Sequence, residues 1–172
     1  MSVEGPKFIL ETARLSLHQL RPSDAPFIFE LLNSRGFLAN IGDRGIRNQA
    51  DAEAYISRIR ASYATNAFGL WRCQVRSDGA SIGICGLVKR EGLEHPDIGY
   101  AFLEKYWGFG YATEASLACM TYARTELNLS KILAVTTHAN VASLSVLKKL
   151  EMRDVGTVLL PGAEREIALF ST

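Results

Sequence analysis

The chain has 172 residues, 48% apolar and 22% charged, with a formal net charge of +1. That length suits one globular domain, residues 1–172, large enough to bury a core. Basic and acidic residues are interspersed, without the basic stripe of a nucleic-acid binder. Short apolar runs such as "ILAV" and "AFGLW" leave no helix to cross a bilayer, so no nucleic acid and no membrane is expected as partner.

Taken in chain order, "RLSLHQL" (residues 14–20) alternates apolar and polar positions and predicts a strand. "PSDAPFIFELLN" follows, with Ser23 or Asp24 as helix cap and Phe27, Ile28, Leu31 and Leu32 on the apolar face. "NSRGFLANIGDRGIRN" (33–48) reads as a loop, and helical spacing returns from Asp51 to Tyr63. "GLWRCQVRS" and "SIGICGLVKR" form a hairpin across Asp78-Gly79, and "DIGYAFLEKY" adds a third strand.

A helix is expected from Thr113 to Leu127. "KILAVTT" (131–137) is apolar at its centre and predicts a central strand covered on both faces. Asn140 caps a further helix, "NVASLSVLKKLEM", and Val155–Leu160 and Glu166–Phe170 give two last strands about Pro161-Gly162. The order is β-α-α-β-β-β-α-β-α-β-β. This is an α/β chain of α+β type with a central mixed, mostly antiparallel sheet. One strand–helix–strand unit requires a right-handed crossover.

The N-terminal "MSVEGPKFILETARL" carries acids and no signal-peptide core, so a cytoplasmic location is expected. Cys73, Cys85 and Cys119 are odd in number and widely spaced, which predicts buried free thiols rather than disulfides or a metal site.

The stretch "EKYWGFGYATEA" (104–115) joins a strand to a helix through Gly108 and Gly110. A helix start presents unsatisfied N–H groups and partial positive charge, and glycines keep them accessible. That combination suits a phosphate, with Lys105 nearby. A P-loop is excluded because Tyr111, not Lys, follows Gly110. A dinucleotide fingerprint is excluded because Thr113 stands at its third small position, and "AVTTHAN" lacks the ribose-binding acid. Asn140 and Ser143 open the next helix, so two consecutive strands end in polar groups where ligands of α/β sheets gather.

Together these residues resemble the GCN5-related N-acetyltransferase (GNAT) superfamily, and within it the RimJ/RimL-type branch. The resemblance spans nearly the whole chain. It rests on "ETARLSLHQLRPSD", "SIGICGLVKR", "DIGYAFLEKYWGFGYATEA" and "NVASLSVLKKLEM". The family's pyrophosphate loop, Gln/Arg-x-x-Gly-x-Gly/Ala, falls on Lys105, Gly108 and Gly110. Asn-x-x-Ser falls on Asn140 and Ser143. Two positions depart: Lys105 replaces Gln or Arg, and Glu151 with Met152 replaces Gly-Phe at the last helix end, where some strain or a different helix end is expected.

The resemblance implies acetyl-CoA as co-substrate, no metal, and direct acetyl transfer to a primary amine in a ternary complex. The acceptor would be a protein N-terminus or a small amine, and the protein a monomer or homodimer. Acetyl-CoA would enter a V-shaped gap between residues 99–103 and 131–137. Its pantetheine arm would bond to backbone near Phe102 and Leu103, and its pyrophosphate to the N–H groups of Gly108, Phe109, Gly110, Tyr111 and Ala112. Asn140 would hold the pantetheine or thioester region, and Ser143 would donate a proton to the thiolate, since Leu147 stands where other branches carry Tyr.

Asp97, Glu104, Glu114 and His138 are base candidates by location. Trp71 and "GFLANIGDRG" would wall the acceptor side, with Arg35, Asp43, Arg44 and Arg47 available to read charge. A wider pocket near Leu103 and Val135 would admit a longer acyl-CoA. The alternative is a non-catalytic CoA-binding sensor or interaction module on the same fold.

Overall fold

Alternating segments pair into one eight-stranded sheet in the computed structural model, which describes residues 7–172. The strands are β1 (Phe8–Glu11), β2 (Leu15–Gln19), β3 (Leu70–Val75), β4 (Ser81–Val88), β5 (Asp97–Phe102), β6 (Leu133–Thr136), β7 (Arg153–Val158) and β8 (Ile167–Ser171). Their order in the sheet is β1-β2-β3-β4-β5-β6-β8-β7. Every neighbouring pair is antiparallel except β5–β6.

The helices are α1 (Ala25–Leu32), α2 (Arg35–Asn40), α3 (Gln49–Asn66), α4 (Tyr111–Thr125) and α5 (Val141–Lys149). One core packs α4 and Leu147 of α5 on Ile98 and Phe102. The other packs α1, α2 and α3 on Ile84 and Leu103.

The mixed sheet is as expected, with two additional elements. Phe8–Glu11 forms a strand because Thr12 turns the chain back, its N–H donating to the Leu15 carbonyl and its hydroxyl oxygen accepting the Leu15 N–H. Residues 35–40, expected as loop, form α2, because the Ser34 hydroxyl accepts from the Phe37 N–H and Phe37 is buried. Asp24 does not cap α1 through its side chain. It is buried and ion-paired with Arg72, 3.2 Å away. Trp71, expected on the acceptor wall, is also buried, edge-on to Tyr122 in the main core. The three cysteines are free and buried.

Helix α5 ends at Glu151 with φ +58°. The Glu151 N–H reaches the Lys148 carbonyl and the Met152 N–H reaches that of Leu147. This left-handed helix end is one that glycine adopts freely and glutamate does not. Glu151→Gly is therefore expected to stabilise the protein by about 0.5–1 kcal/mol, the relief of strain exceeding the entropy lost to a freer unfolded chain. A rise in the urea midpoint at unchanged slope would report it.

Candidate functional site

The parallel pair β5–β6 meets at one register position, Asp97 opposite Leu133, and the strands then diverge. On the β4 side, Leu103 donates its N–H to the Ile82 carbonyl at 2.9 Å. Antiparallel alternation therefore turns the main-chain groups of Tyr100 and Phe102 toward the divergence. The Phe102 carbonyl accepts the Trp107 indole N–H at 2.8 Å, leaving its own N–H toward the gap. Leu103, expected to offer its N–H there, is engaged elsewhere.

A cleft of about 630 Å³ runs through this divergence. On one face of the sheet it is lined by Ile98, Tyr100, Phe102, Ser143 and Leu147. On the other it is lined by Leu70, Ile84, Val88, Gly99, Ala101 and Tyr55. Val135, half-buried on β6, also lines it.

The glycine turn sits at the mouth. Gly108 and Gly110 both hold φ +82°, and Gly110 is the N-cap of α4. A Cβ added at Gly108 would meet nothing within 4 Å, so that side of the turn is open. A Cβ at Gly110 would come 3.5 Å from Arg14 Nη2. None of the N–H groups from Gly108 to Thr113 has an acceptor among the described residues; the first helical bond runs from Glu114 N–H to the Gly110 carbonyl. Open backbone, free N–H groups and a fifteen-residue helix behind them suit a phosphate oxyanion.

A brace not foreseen from local sequence holds this turn. Arg14, from the β1–β2 turn, donates Nη1 to the Phe109 carbonyl at 2.9 Å and Nε to Glu114 Oε2 at 2.7 Å. Its guanidinium lies 4.4 Å from the Tyr111 ring centre. Glu114 Oε1 also accepts from the Thr12 hydroxyl at 2.5 Å and the Arg14 N–H at 2.9 Å. Burial alone would raise the Glu114 pKa, but these bonds from Thr12 and Arg14 outweigh it and lower it. Glu114 is thus a brace and not a poised base.

A carboxylate with a depressed native pKa stabilises above its unfolded value, and that contribution is lost as pH falls through the folded pKa. Glu114→Gln is therefore expected to lower Tm at neutral pH. The difference from wild type should close below the group's ordinary 4.5, as thermal unfolding over a pH series would show.

The other base candidates separate clearly. Glu104 accepts the Gly36 N–H and so fixes the start of α2. His138 is exposed and pairs with Asp154 at 3.1 Å, outside the cleft. Asp97 lines the cleft and is 1% exposed. Burial raises its pKa, and Arg90, bonded at 3.0 Å, opposes that.

Asn140 and Ser143 line the cleft together. The Asn140 side-chain oxygen accepts the Ser143 N–H at 3.1 Å, so it caps α5 while its amide nitrogen has no partner among the described residues. Ser143 Oγ lies 2.8 Å from the Tyr100 hydroxyl. Tyr100, not singled out in the sequence, thus reaches from β5 across the divergence to α5. Burial pushes its pKa up to about 12, against the opposing bond from Ser143.

Gly108, Gly110, Tyr111, Ala112, Phe102, Asn140 and Ser143 all line the cleft, while Leu103, Lys105 and Phe109 do not. Phe109 is 60% exposed, and the Lys105 ammonium lies 5.4 Å from the Tyr106 ring. Of the four charged residues expected on the acceptor wall only Arg44 lines it; Asp43 and Arg47 pair with each other in the exposed loop. No group of three or more His, Cys, Asp or Glu that would hold a metal occurs among the described residues, and no helix there is long and apolar enough to cross a membrane.

The acetyltransferase (GNAT) domain model matches residues 14–153. YkkB of Bacillus subtilis (strain 168) is 28% identical over 153 residues, covering 87% of each chain. The N-acetyltransferase YnaD of the same organism is 27% identical, covering 86% of this chain and 84% of its own. Among solved structures, RimL, a ribosomal L7/L12 alpha-N-protein acetyltransferase in complex with coenzyme A, matches with TM-score 0.82 at 15% identity, covering 96% of this chain and 97% of its own. A GNAT-family acetyltransferase from Bacillus anthracis matches with TM-score 0.79 at 21% identity, with the same coverage. With a family match over most of its length and the mixed sheet of that family, the chain belongs to the GNAT acetyltransferases.

Proposed function

We propose that this protein is an N-acetyltransferase of the RimJ/RimL-type branch, acting as one domain that moves the acetyl group of acetyl-CoA directly to a primary amine. The observation that carries the reading is the divergence of β5 from β6, with the open glycine turn at one end and the Tyr100–Ser143 hydroxyl pair spanning it. Acetyl-CoA supplies the thioester. The protein supplies position, polarisation and a proton.

The N–H groups of Gly108 to Thr113 hold the pyrophosphate. Main-chain groups of Tyr100 and Phe102 bond the pantetheine arm, and the Asn140 amide nitrogen holds its thioester end. The Tyr100 N–H, beside Ser143, polarises the acetyl carbonyl. The acceptor amine must arrive neutral. A C–N bond then forms and the C–S bond breaks, the amine releasing one proton to solvent, the thiolate taking one from Ser143, and Ser143 recovering one from solvent. Tyr100 donates to Ser143 and directs the serine proton away from itself, into the gap. Orientation of two bound substrates carries much of the remaining acceleration.

The acceptor amine belongs to a protein N-terminus or a small molecule. Calorimetric titration with acetyl-CoA, followed by thiol release with a panel of peptide and small amines, tests the reading. Saturable binding with amine-dependent thiol release supports it. No binding at millimolar acetyl-CoA overturns it.

A further inference from the structure

The face of the cleft opposite α4 and α5 is walled by α2 and α3, and most of it is apolar. Four charged residues line the cleft: Arg44, Arg90 and Asp97 on the β5-start side away from the glycine turn, and Lys149 at the end of α5. Asp97 is the only acid among the cleft-lining residues, and it is already satisfied by Arg90 through Nε at 3.2 Å and Nη2 at 3.0 Å. Arg90 Nη1 remains, on a side chain 29% exposed. Arg44 has no ion pair or hydrogen bond among the described residues, whereas its neighbour Arg47 is held by Asp43.

Both arginines also line a second hollow of about 360 Å³ that continues from this end, beneath the turn Leu160–Ala163. Its one acid, Glu91, makes no ion pair with either guanidinium. Tyr55 lines the cleft together with both arginines.

We infer that Arg44 and the free Nη1 of Arg90 form an anion-recognising subsite for the acceptor, so that the substrate is a primary amine carrying a carboxylate rather than a polyamine. A guanidinium without an ion pair, at the end of a mostly apolar wall, attracts a carboxylate and repels a second ammonium. The apolar stretch between that end and the Tyr100–Ser143 pair takes the body of the molecule. The carboxylate can come from a free amino acid-like molecule or from an acidic residue near a peptide N-terminus. The inference rests on the acetyl-transfer reading above.

The test uses the full chain with saturating acetyl-CoA. Omega-amino carboxylates are compared with alkylamines of equal length, and a short peptide with Asp in second position with its Asn counterpart; spermidine is the polycation control. In at least one matched pair the carboxylate-bearing member is expected to have about tenfold higher kcat/KM. The small-molecule and peptide arms show which source is used. Arg44→Ala is expected to remove that preference by raising KM, and Arg44→Glu to invert it, with the Kd for acetyl-CoA unchanged in both. Equal rates within every pair, spermidine as the best acceptor, or a preference that survives Arg44→Ala would overturn the subsite while leaving acetyl transfer intact. Loss of acetyl-CoA binding by the wild-type protein would instead remove the reading beneath it.

Discussion

Tyr100→Phe and Ser143→Ala are each expected to lower kcat by roughly 10- to 100-fold with the Kd for acetyl-CoA little changed. The two hydroxyls lie 2.8 Å apart, on β5 and α5, with the cleft between those elements. With burial pushing its pKa up to about 12, the Tyr100 phenol keeps its proton throughout the physiological range and so has one to donate. If it donates to Ser143, the serine proton is left for the departing thiolate. Removing either hydroxyl breaks the same chain.

The double variant should therefore be hardly slower than the worse single one, because groups acting in series are not additive. Pre-steady-state thiol release separates chemistry from product release. A double variant slowed by the product of both single effects would mean independent roles, and unchanged kcat in Ser143→Ala would remove the serine from the proton path.

Gly108→Asp should weaken acetyl-CoA binding at least tenfold relative to Gly108→Asn. Both side chains tolerate positive φ better than most, so the backbone cost largely cancels between them. What differs is one negative charge, on a Cβ that would project into open space beside free N–H groups. Gly110 is less discriminating, because a side chain there would meet Arg14 first. Calorimetry on the two variants decides it. Equal affinities would mean that the anion does not sit on this turn.

These two predictions divide along what was legible in the sequence. The glycine turn was legible because the need for positive φ next to a helix start is local. So was Asn140, whose capping role depends on a residue three positions away. Tyr100 was not, because its partner lies 43 positions ahead and nothing in "DIGYAF" distinguishes a tyrosine that packs from one that reaches across. Arg14 and Glu114 are a hundred positions apart, and only the folded sheet makes them neighbours. Three acids and a histidine were equal as bases by location. Contacts withdrew Glu104 and Glu114 into structural roles and left His138 outside the cleft, while Asp97 stayed in it. Helix α2 was hidden because Gly36 and Asn40 argue against helix locally. Gly36 is required by packing, since a Cβ there would fall 2.4 Å from the Trp107 ring.

The single-pair joint between β5 and β6 also bears on how the protein avoids its own kind. By diverging in mid-sheet, the chain creates two interior edges, each with unmet main-chain donors and acceptors. Such edges on a protein's rim invite another chain to pair and start aggregation. Here they are recessed, with α4 and α5 lining one side and α2 and α3 the other. A narrow extended molecule can thread between them, whereas the strand of a second folded protein would bring too much bulk. The same unpaired backbone that is a hazard at a sheet's margin becomes, at its centre, a selective slot.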